Sequence, residues 1–365
     1  MTGPRPQPGI LDITAYVGGR STAGDAGGRV IKLSSNESPL GPSPRAIEAY
    51  RAAAGELHRY PDGGARDLRA ALGERYGLDP ERIVCGNGSD ELITMLTRAY
   101  IGPGDEALYS EYGFLMYPIA VMSAGATPVA VPEAGLRADI DALLGHVTPA
   151  TRIVFLANPN NPTGSYVSAD ELRRLRDGLP GEVLLVIDSA YAEYVGANDY
   201  SAGAELVEDG GNVVMTRTFS KIYGLAALRL GWAYCPTDVA GVLNRVRGPF
   251  NVTAPALAAG LAALADTAHV DAARRHNDKW LRWFTTEIEG LGLTVHPSVG
   301  NFVLVCFPPG EGRSAEAAND FLMARGIIPR QMAAYHLPDC LRITIGLADE
   351  MSAVVAALAE FMNKG

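Results

Sequence analysis

The sequence predicts an α/β fold: a large domain on a mostly parallel central sheet, followed by a smaller C-terminal α+β domain. Three observations predict it. Short apolar runs such as "VLLVI" (183–187) have the texture of strands covered on both faces. These runs alternate with helical patterns, which implies crossover connections and parallel pairing. Past a charge-poor crossing near Gly248–Pro255 the texture changes to long helices separated by isolated strands. With 365 residues the chain is too long for one small core. We divide it into an N-terminal arm (1–40), a large domain (41–250) and a small C-terminal domain (251–365).

Residues 1–30 are rich in Gly, Pro and small residues and read as an arm, with one short helix near Ile10–Tyr16. Helices are expected at Pro44–Ala54, Ala65–Tyr76, Asp90–Tyr100 and Ser168–Asp177. The last opens on Ser168 with Glu171 three residues on, a capping-box pattern. Strands are expected at Ile83–Cys85, Glu106–Tyr109, Thr127–Val131, Ile153–Ala157, Val183–Ile187 and Val213–Thr216. The C-terminal part takes an Ala-rich helix after Pro255, then helices around Asp271–Leu291 and Ser314–Arg325. Strands at Asn301–Cys306 and Leu341–Ile345 and a final helix from Asp349 complete it.

Net charge is −10, from 31 basic and 41 acidic residues, which argues against nucleic acid as the main partner. A local anion pocket is still compatible with that balance. Two uncharged stretches, Tyr112–Pro132 and Gly248–Ala265, are broken by prolines and polar residues and read as buried elements of a soluble fold, not membrane spans. The N-terminus MTGPRPQPGI lacks the apolar core of a signal peptide. Four scattered cysteines (Cys85, Cys235, Cys306, Cys340) read as buried thiols in a reducing cytoplasm. The six histidines show no ligand spacing, so no metal site is expected.

In open parallel sheets, ligands bind beyond the carboxyl ends of the strands. Four strand ends carry polar clusters: "GNGSDE" (86–91), "NPNNPTG" (158–164), "DSAY" (188–191) and "TRTFSK" (216–221). Gly88, Ser89 and Asp90 follow a strand and open a helix, so free amides and the helix dipole make an anion seat there. Read alone, the same residues make an ordinary tight turn with a cap. The third glycine of a dinucleotide motif is absent, because position 91 is Glu. Asp188 is either a satisfied core carboxylate or a counter-ion for a cation; Asn161 and Tyr191 offer an amide and a phenol at neighbouring strand ends. Lys221 closes a buried-looking strand. Desolvation there favours the neutral amine, which condenses with carbonyls. Thr218, Ser220 and Arg229 suit a phosphate group. Together the set fits pyridoxal phosphate: an aldehyde for Lys221, a phosphate for Gly88–Asp90 and Arg229, a ring nitrogen for Asp188, and a phenolic oxygen for Asn161 and Tyr191.

"SSNESPLGPSP", "RYPD", "GNGSDE", "NPNNPTG", "TFSK" with "GLAALRLG", "GNFVLV" and "LRITIG" occur in order, within a likeness that extends from about Gly9 to Met362. The chain in this respect resembles the fold-type I pyridoxal-phosphate aminotransferases, and within them the histidinol-phosphate aminotransferases. That resemblance implies Tyr112 stacked on the cofactor ring and Arg342 gripping a substrate carboxylate, with Asn36 nearby. It implies Tyr60 reaching the cofactor phosphate of a neighbouring subunit, hence a homodimer, and Arg330 meeting a substrate phosphate. The chain departs from the pattern at Ser110-Glu111, at Ser189, and at Pro329, which restrains the backbone before Arg330. The implied reaction passes an amino group from histidinol phosphate to 2-oxoglutarate. The rivals are an aromatic (Tyr/Phe) aminotransferase, a phosphoamino-acid decarboxylase on the same scaffold, and a non-catalytic cofactor-binding regulatory module.

Overall fold

The computed structural model describes residues 3–22, 29–308, 310 and 312–363. Among them run thirteen strands. The first eight are β1 (Ile31–Lys32), β2 (Ile83–Gly86), β3 (Glu106–Ser110), β4 (Thr127–Val131), β5 (Thr151–Ala157), β6 (Leu184–Asp188), β7 (Val213–Thr218) and β8 (Gly231–Tyr234). The rest are β9 (Thr294–His296), β10 (Phe302–Cys306), β11 (Ile327–Ile328), β12 (Arg330–Gln331) and β13 (Cys340–Thr344).

Seven strands form the central sheet, in the order β2-β8-β7-β6-β5-β3-β4. β7, β6, β5, β3 and β4 pair in parallel, and β8 runs antiparallel between β7 and β2. Side chains alternate across it with period two. Leu185, Ile187, Val213 and Met215 enter one apolar cluster, while Leu184, Val186 and Val214 enter another. Every residue of β6 and β7 is buried. This two-sided cover is why these strands read as continuous apolar runs instead of alternating ones.

Helix starts follow local chemistry. Ser43 Oγ accepts from the Ala46 N–H at 3.1 Å ahead of helix Pro44–Ala53, and Thr253 Oγ1 accepts from the Ala256 N–H at 3.3 Å ahead of helix Ala254–Ala265. Each has proline in the first turn, where a missing N–H costs nothing. The Ser168–Glu171 capping box forms as its spacing predicts, opening helix Ala169–Gly178.

Beyond the 24-residue helix Thr267–Gly290, a second sheet has the antiparallel order β12-β13-β10-β9. β1 pairs in parallel with β11, so the segment leading out of the arm packs on this C-terminal unit. Ile31 and Leu33 share its apolar cluster with Phe284, Val303, Leu341 and Phe361. Among the described residues no helix is long and apolar enough to cross a membrane.

The expected strands and helices of the large domain appear within about two residues of their expected limits. Several features differ. The helix near Ile10–Tyr16 is only a 3-10 turn, Ile10–Asp12. β8 and the helices Met116–Ser123 and Thr237–Val246 were not anticipated. "GWAY" is four residues long and buried throughout, and Met116–Ser123 is mostly apolar around its axis, so neither shows a period. The reading of four free thiols is corrected. Cys306 and Cys340 are cross-strand partners of β10 and β13, with Cα atoms 4.1 Å apart, and are joined by a disulfide. Strand register sets that pairing, and a sequence separation of 34 carries no trace of it. Cys85 and Cys235 are buried thiols.

Candidate active site

The carboxyl ends of β5, β6 and β7 open into a cavity of about 420 Å³. Twelve of the expected residues line it. Ser89 and Asp90 come from the start of helix Ser89–Tyr100, Asn161 from the loop after β5, and Asp188 and Tyr191 from the end of β6. Thr218, Ser220, Lys221 and Arg229 come from β7 and the segment after it. Asn36 reaches in from the segment after β1, and Arg330 and Arg342 from the C-terminal sheet. None of the six histidines lines it.

At one end lies an anion seat. Gly88 adopts φ +83°, and a Cβ there would come 2.2 Å from Arg229 Nη2. The loop therefore lies against the guanidinium only because it carries no side chain. Gly231 serves the same approach from β8, since a Cβ there would lie 2.5 Å from the Ser89 nitrogen. Arg229 donates to Ser220 Oγ at 3.1 Å and to Asp90 Oδ2 at 3.1 Å. The amides opening a twelve-residue helix, a hydroxyl and a guanidinium thus converge. Gly88→Ala is expected to push Arg229 aside. Losing one charge-assisted contact of about 1.5–3 kcal/mol weakens phosphate-ester binding by roughly 10- to 100-fold, read by equilibrium titration with pyridoxal phosphate.

In the middle stand an amine and a carboxylate. Lys221 Nζ donates to the Ser35 carbonyl at 3.3 Å and sits 5.6 Å from the Tyr191 ring centre. Burial, helped by the Arg342 charge, lowers its pKa to about 8. Asp188 is 6% exposed and accepts from Tyr117 Oη at 2.9 Å and from Thr216 Oγ1 at 3.2 Å. Burial raises its pKa to about 6, with those two hydrogen bonds pulling the other way. At neutral pH this leaves an anion on one wall and a readily deprotonated amine on the other.

At the far end are two arginines. Arg342 is buried, and burial lowers its pKa. It donates to the Ser34 carbonyl at 2.9 Å and to Asn161 Oδ1, while its Nε has no partner. A buried guanidinium so incompletely satisfied is a ready receptor for a carboxylate. Asn36 donates to Tyr191 Oη at 2.9 Å, and its N–H reaches Thr344 Oγ1 at 2.9 Å, which ties the arm-side loop to both domains' walls. Arg330 donates to the Val17 carbonyl at 2.7 Å, so the arm crosses the mouth with Tyr16, Gly18 and Gly19 facing inward.

Three of the fifteen expected residues are not on the cavity wall: Gly88, which backs Arg229 as described, Tyr112 and Tyr60. Tyr112 does not line the cavity: its N–H faces Glu133 Oε1 at 3.3 Å. Phe114 lines the cavity beside Tyr16 and Tyr191, edge-on to Tyr16 with ring centres 6.4 Å apart. Tyr60 is 82% exposed, stacked on Phe250 with ring centres 4.5 Å apart, and does not line its own chain's cavity. Tyr117 was missed because it sits in a stretch read only as buried and apolar.

The chain is similar to known proteins over nearly its whole length. Residues 28–358 match the family model of aminotransferase class I and II. The chain is 63% identical over 363 residues to histidinol-phosphate aminotransferase of Paramagnetospirillum magneticum, and 60% identical over 363 residues to that of Rhodospirillum centenum, in each case covering 100% of both chains. Its fold is similar to the crystal structure of histidinol-phosphate aminotransferase from Sinorhizobium meliloti in complex with pyridoxal-5'-phosphate, at TM-score 0.91 and 32% identity, covering 99% of this chain and 98% of that one. The chain belongs to the class I and II aminotransferase family.

Proposed function

We propose that this protein is a pyridoxal-phosphate aminotransferase that passes the amino group of histidinol phosphate to 2-oxoglutarate. The observation that carries the reading is one cavity holding Lys221, Asp188, a glycine-lined anion seat and two arginines at the opposite end. The relatives' names support the donor. When bound, the cofactor supplies an aldehyde that takes the amino group and a heteroaromatic ring that accepts electron density from the substrate α-carbon. The residues fit it: the donors around Gly88 and Arg229 suit its phosphate, and Asp188 suits a protonated ring nitrogen.

Each residue then has a defined task. Gly88, Ser89, Asp90, Thr218, Ser220 and Arg229 hold the phosphate end. Asp188 keeps positive charge on the ring nitrogen, and Asn161 and Tyr191 face the phenolic oxygen. Tyr112 is the residue the family pattern sets against the ring, and Phe114 lines the same cavity. Lys221 Nζ would hold the cofactor through its aldehyde. As a free amine it would be the group that accepts and returns the proton at the substrate α-carbon. Arg342, with Asn36 beside it, grips the keto acid's carboxylate. Histidinol phosphate carries a phosphate and no carboxylate, yet both substrates use one cavity. Arg330 and Arg342 must therefore serve phosphate in one half-reaction and carboxylate in the other.

The reading includes a homodimer. Tyr60, Phe250, Ile47, Tyr50 and Leu57 are exposed large apolar residues, a natural face for a second copy. Tyr60, pointing away from its own cavity, would complete the partner's anion seat. The reading also includes a cytoplasmic location, since phosphorylated substrates carry too much charge to cross membranes unaided. The test compares kcat/KM on histidinol phosphate and on phenylalanine with 2-oxoglutarate. A preference for histidinol phosphate of at least about 100-fold is expected, because phenylalanine brings one carboxylate charge and no phosphate to the end of the cavity that holds Arg330 and Arg342. A preference for phenylalanine makes the protein an aromatic aminotransferase. Carbon dioxide release makes it a decarboxylase, and cofactor binding without amino exchange makes it a regulator.

A further inference from the structure

Asp188 is held from behind by residues that do not line the cavity. Thr216 is its cross-strand partner on β7, and its hydroxyl lies 3.2 Å from Oδ1. Tyr117, fully buried on helix Met116–Ser123, donates its hydroxyl to Oδ2 at 2.9 Å. The Tyr117 ring is fixed on both sides. It stacks on Phe155 with ring centres 4.8 Å apart and planes 6° apart, and meets Phe114 edge-on at 5.9 Å and 90°. Each carboxylate oxygen thus has its own hydroxyl donor, one on a strand of the central sheet and one on a helix packed against it. The two donors leave the carboxylate no free rotation. They also hand it the hydrogen bonds that burial would otherwise strip away.

We infer that Tyr117 and Thr216 are positioning residues that keep Asp188 ionised and aimed into the cavity, with Tyr117 also bracing the Phe114 wall. The inference rests on the aminotransferase reading only for its consequence in catalysis. Hydrogen bonds to a charged acceptor favour the ionised form, and here they oppose the burial that raises Asp188. The other titratable groups around the carboxylate are Asp90, whose charge opposes its ionisation, and Tyr191 and Tyr200 on the loop after β6. Lys221 and Arg229 line the same cavity.

Tyr117→Phe keeps the ring stack and removes only the donor, and Thr216→Val does the same from the other side. The carboxyl band of Asp188 is read across pH by infrared difference spectroscopy on the full chain labelled with carbon-13 aspartate, with Asp188→Asn as the blank. Each variant is expected to move the Asp188 titration upward by about one to two units. In the cofactor-loaded enzyme, the acidic limb of kcat moves in the same direction while KM for the amino donor is unchanged. An unmoved titration in either folded variant overturns the inference. So does a fall in kcat without a shifted pH profile, which marks a merely structural role. The infrared reading does not need turnover. A protein that never exchanges amino groups therefore fails the functional reading while still reporting on these two hydroxyls.

Discussion

Lys221→Ala is expected to abolish amino transfer, with kcat lower by at least about 10³-fold, because one side chain supplies both the attachment point and the moving proton. The visible absorbance of the lysine-bound cofactor disappears with it, while pyridoxal phosphate still binds reversibly through the Arg229 seat. Retention of both absorbance and turnover would exclude Lys221 from the chemistry. The sign of the pH dependence follows from its environment. Burial lowers the pKa of Lys221 to about 8, so the neutral, nucleophilic form dominates above that value and the ammonium below it. Capture of added cofactor by the stripped wild-type protein should therefore slow about tenfold per unit as pH falls below 8 and level off above it. Stopped-flow absorbance measures this directly. A capture rate indifferent to pH between 6 and 9, across which the neutral-amine fraction rises by about two decades, would show that the amine is not the limiting group.

Glu193→Ala carries the largest expected effect on stability. Arg217 and Glu193 form an ion pair at 2.8 Å with both side chains 8% exposed. The guanidinium lies 4.8 Å from the Tyr76 ring centre and 5.6 Å from that of Trp232. Its Nε has no partner, so Glu193 is its principal compensation. Removing the carboxylate strands a buried cation, at a cost of about 3–5 kcal/mol in unfolding free energy measured by urea denaturation. Replacing both residues by apolar ones of similar volume, as in Arg217→Met with Glu193→Leu, is expected to recover most of that loss, since the pair itself is worth little once its desolvation is counted. A single-mutant loss under about 1 kcal/mol, the range of exposed ion pairs, would mean that water reaches the guanidinium.

The cavity was legible to an unusual degree because its polar residues sit at the ends of apolar strands. Asp188 closes a run of four buried aliphatic residues, and a carboxylate there is conspicuous against its background. Lys221 and Arg229 stand out equally in a segment otherwise poor in charge. Tyr112 is implied by the family resemblance alone, while Phe114, two residues on and lining the cavity, carries no signal of its own in the sequence. Tyr117 carried no signal at all, since its hydroxyl acquires meaning only once β6 brings Asp188 within 2.9 Å.

By itself the sequence determined the sheet's burial, its parallel sense and the set of functional groups at its edge, since each depends on residues a few positions apart. Only the tertiary structure decided the partners: Tyr117 and Thr216 on Asp188, Asn36 on Tyr191, the arm's Val17 carbonyl on Arg330, and Cys306 on Cys340. Such pairings come from strand register and from how helices cross the sheet. Both minimise free energy over residues far apart in the chain, and no local run of side chains encodes them.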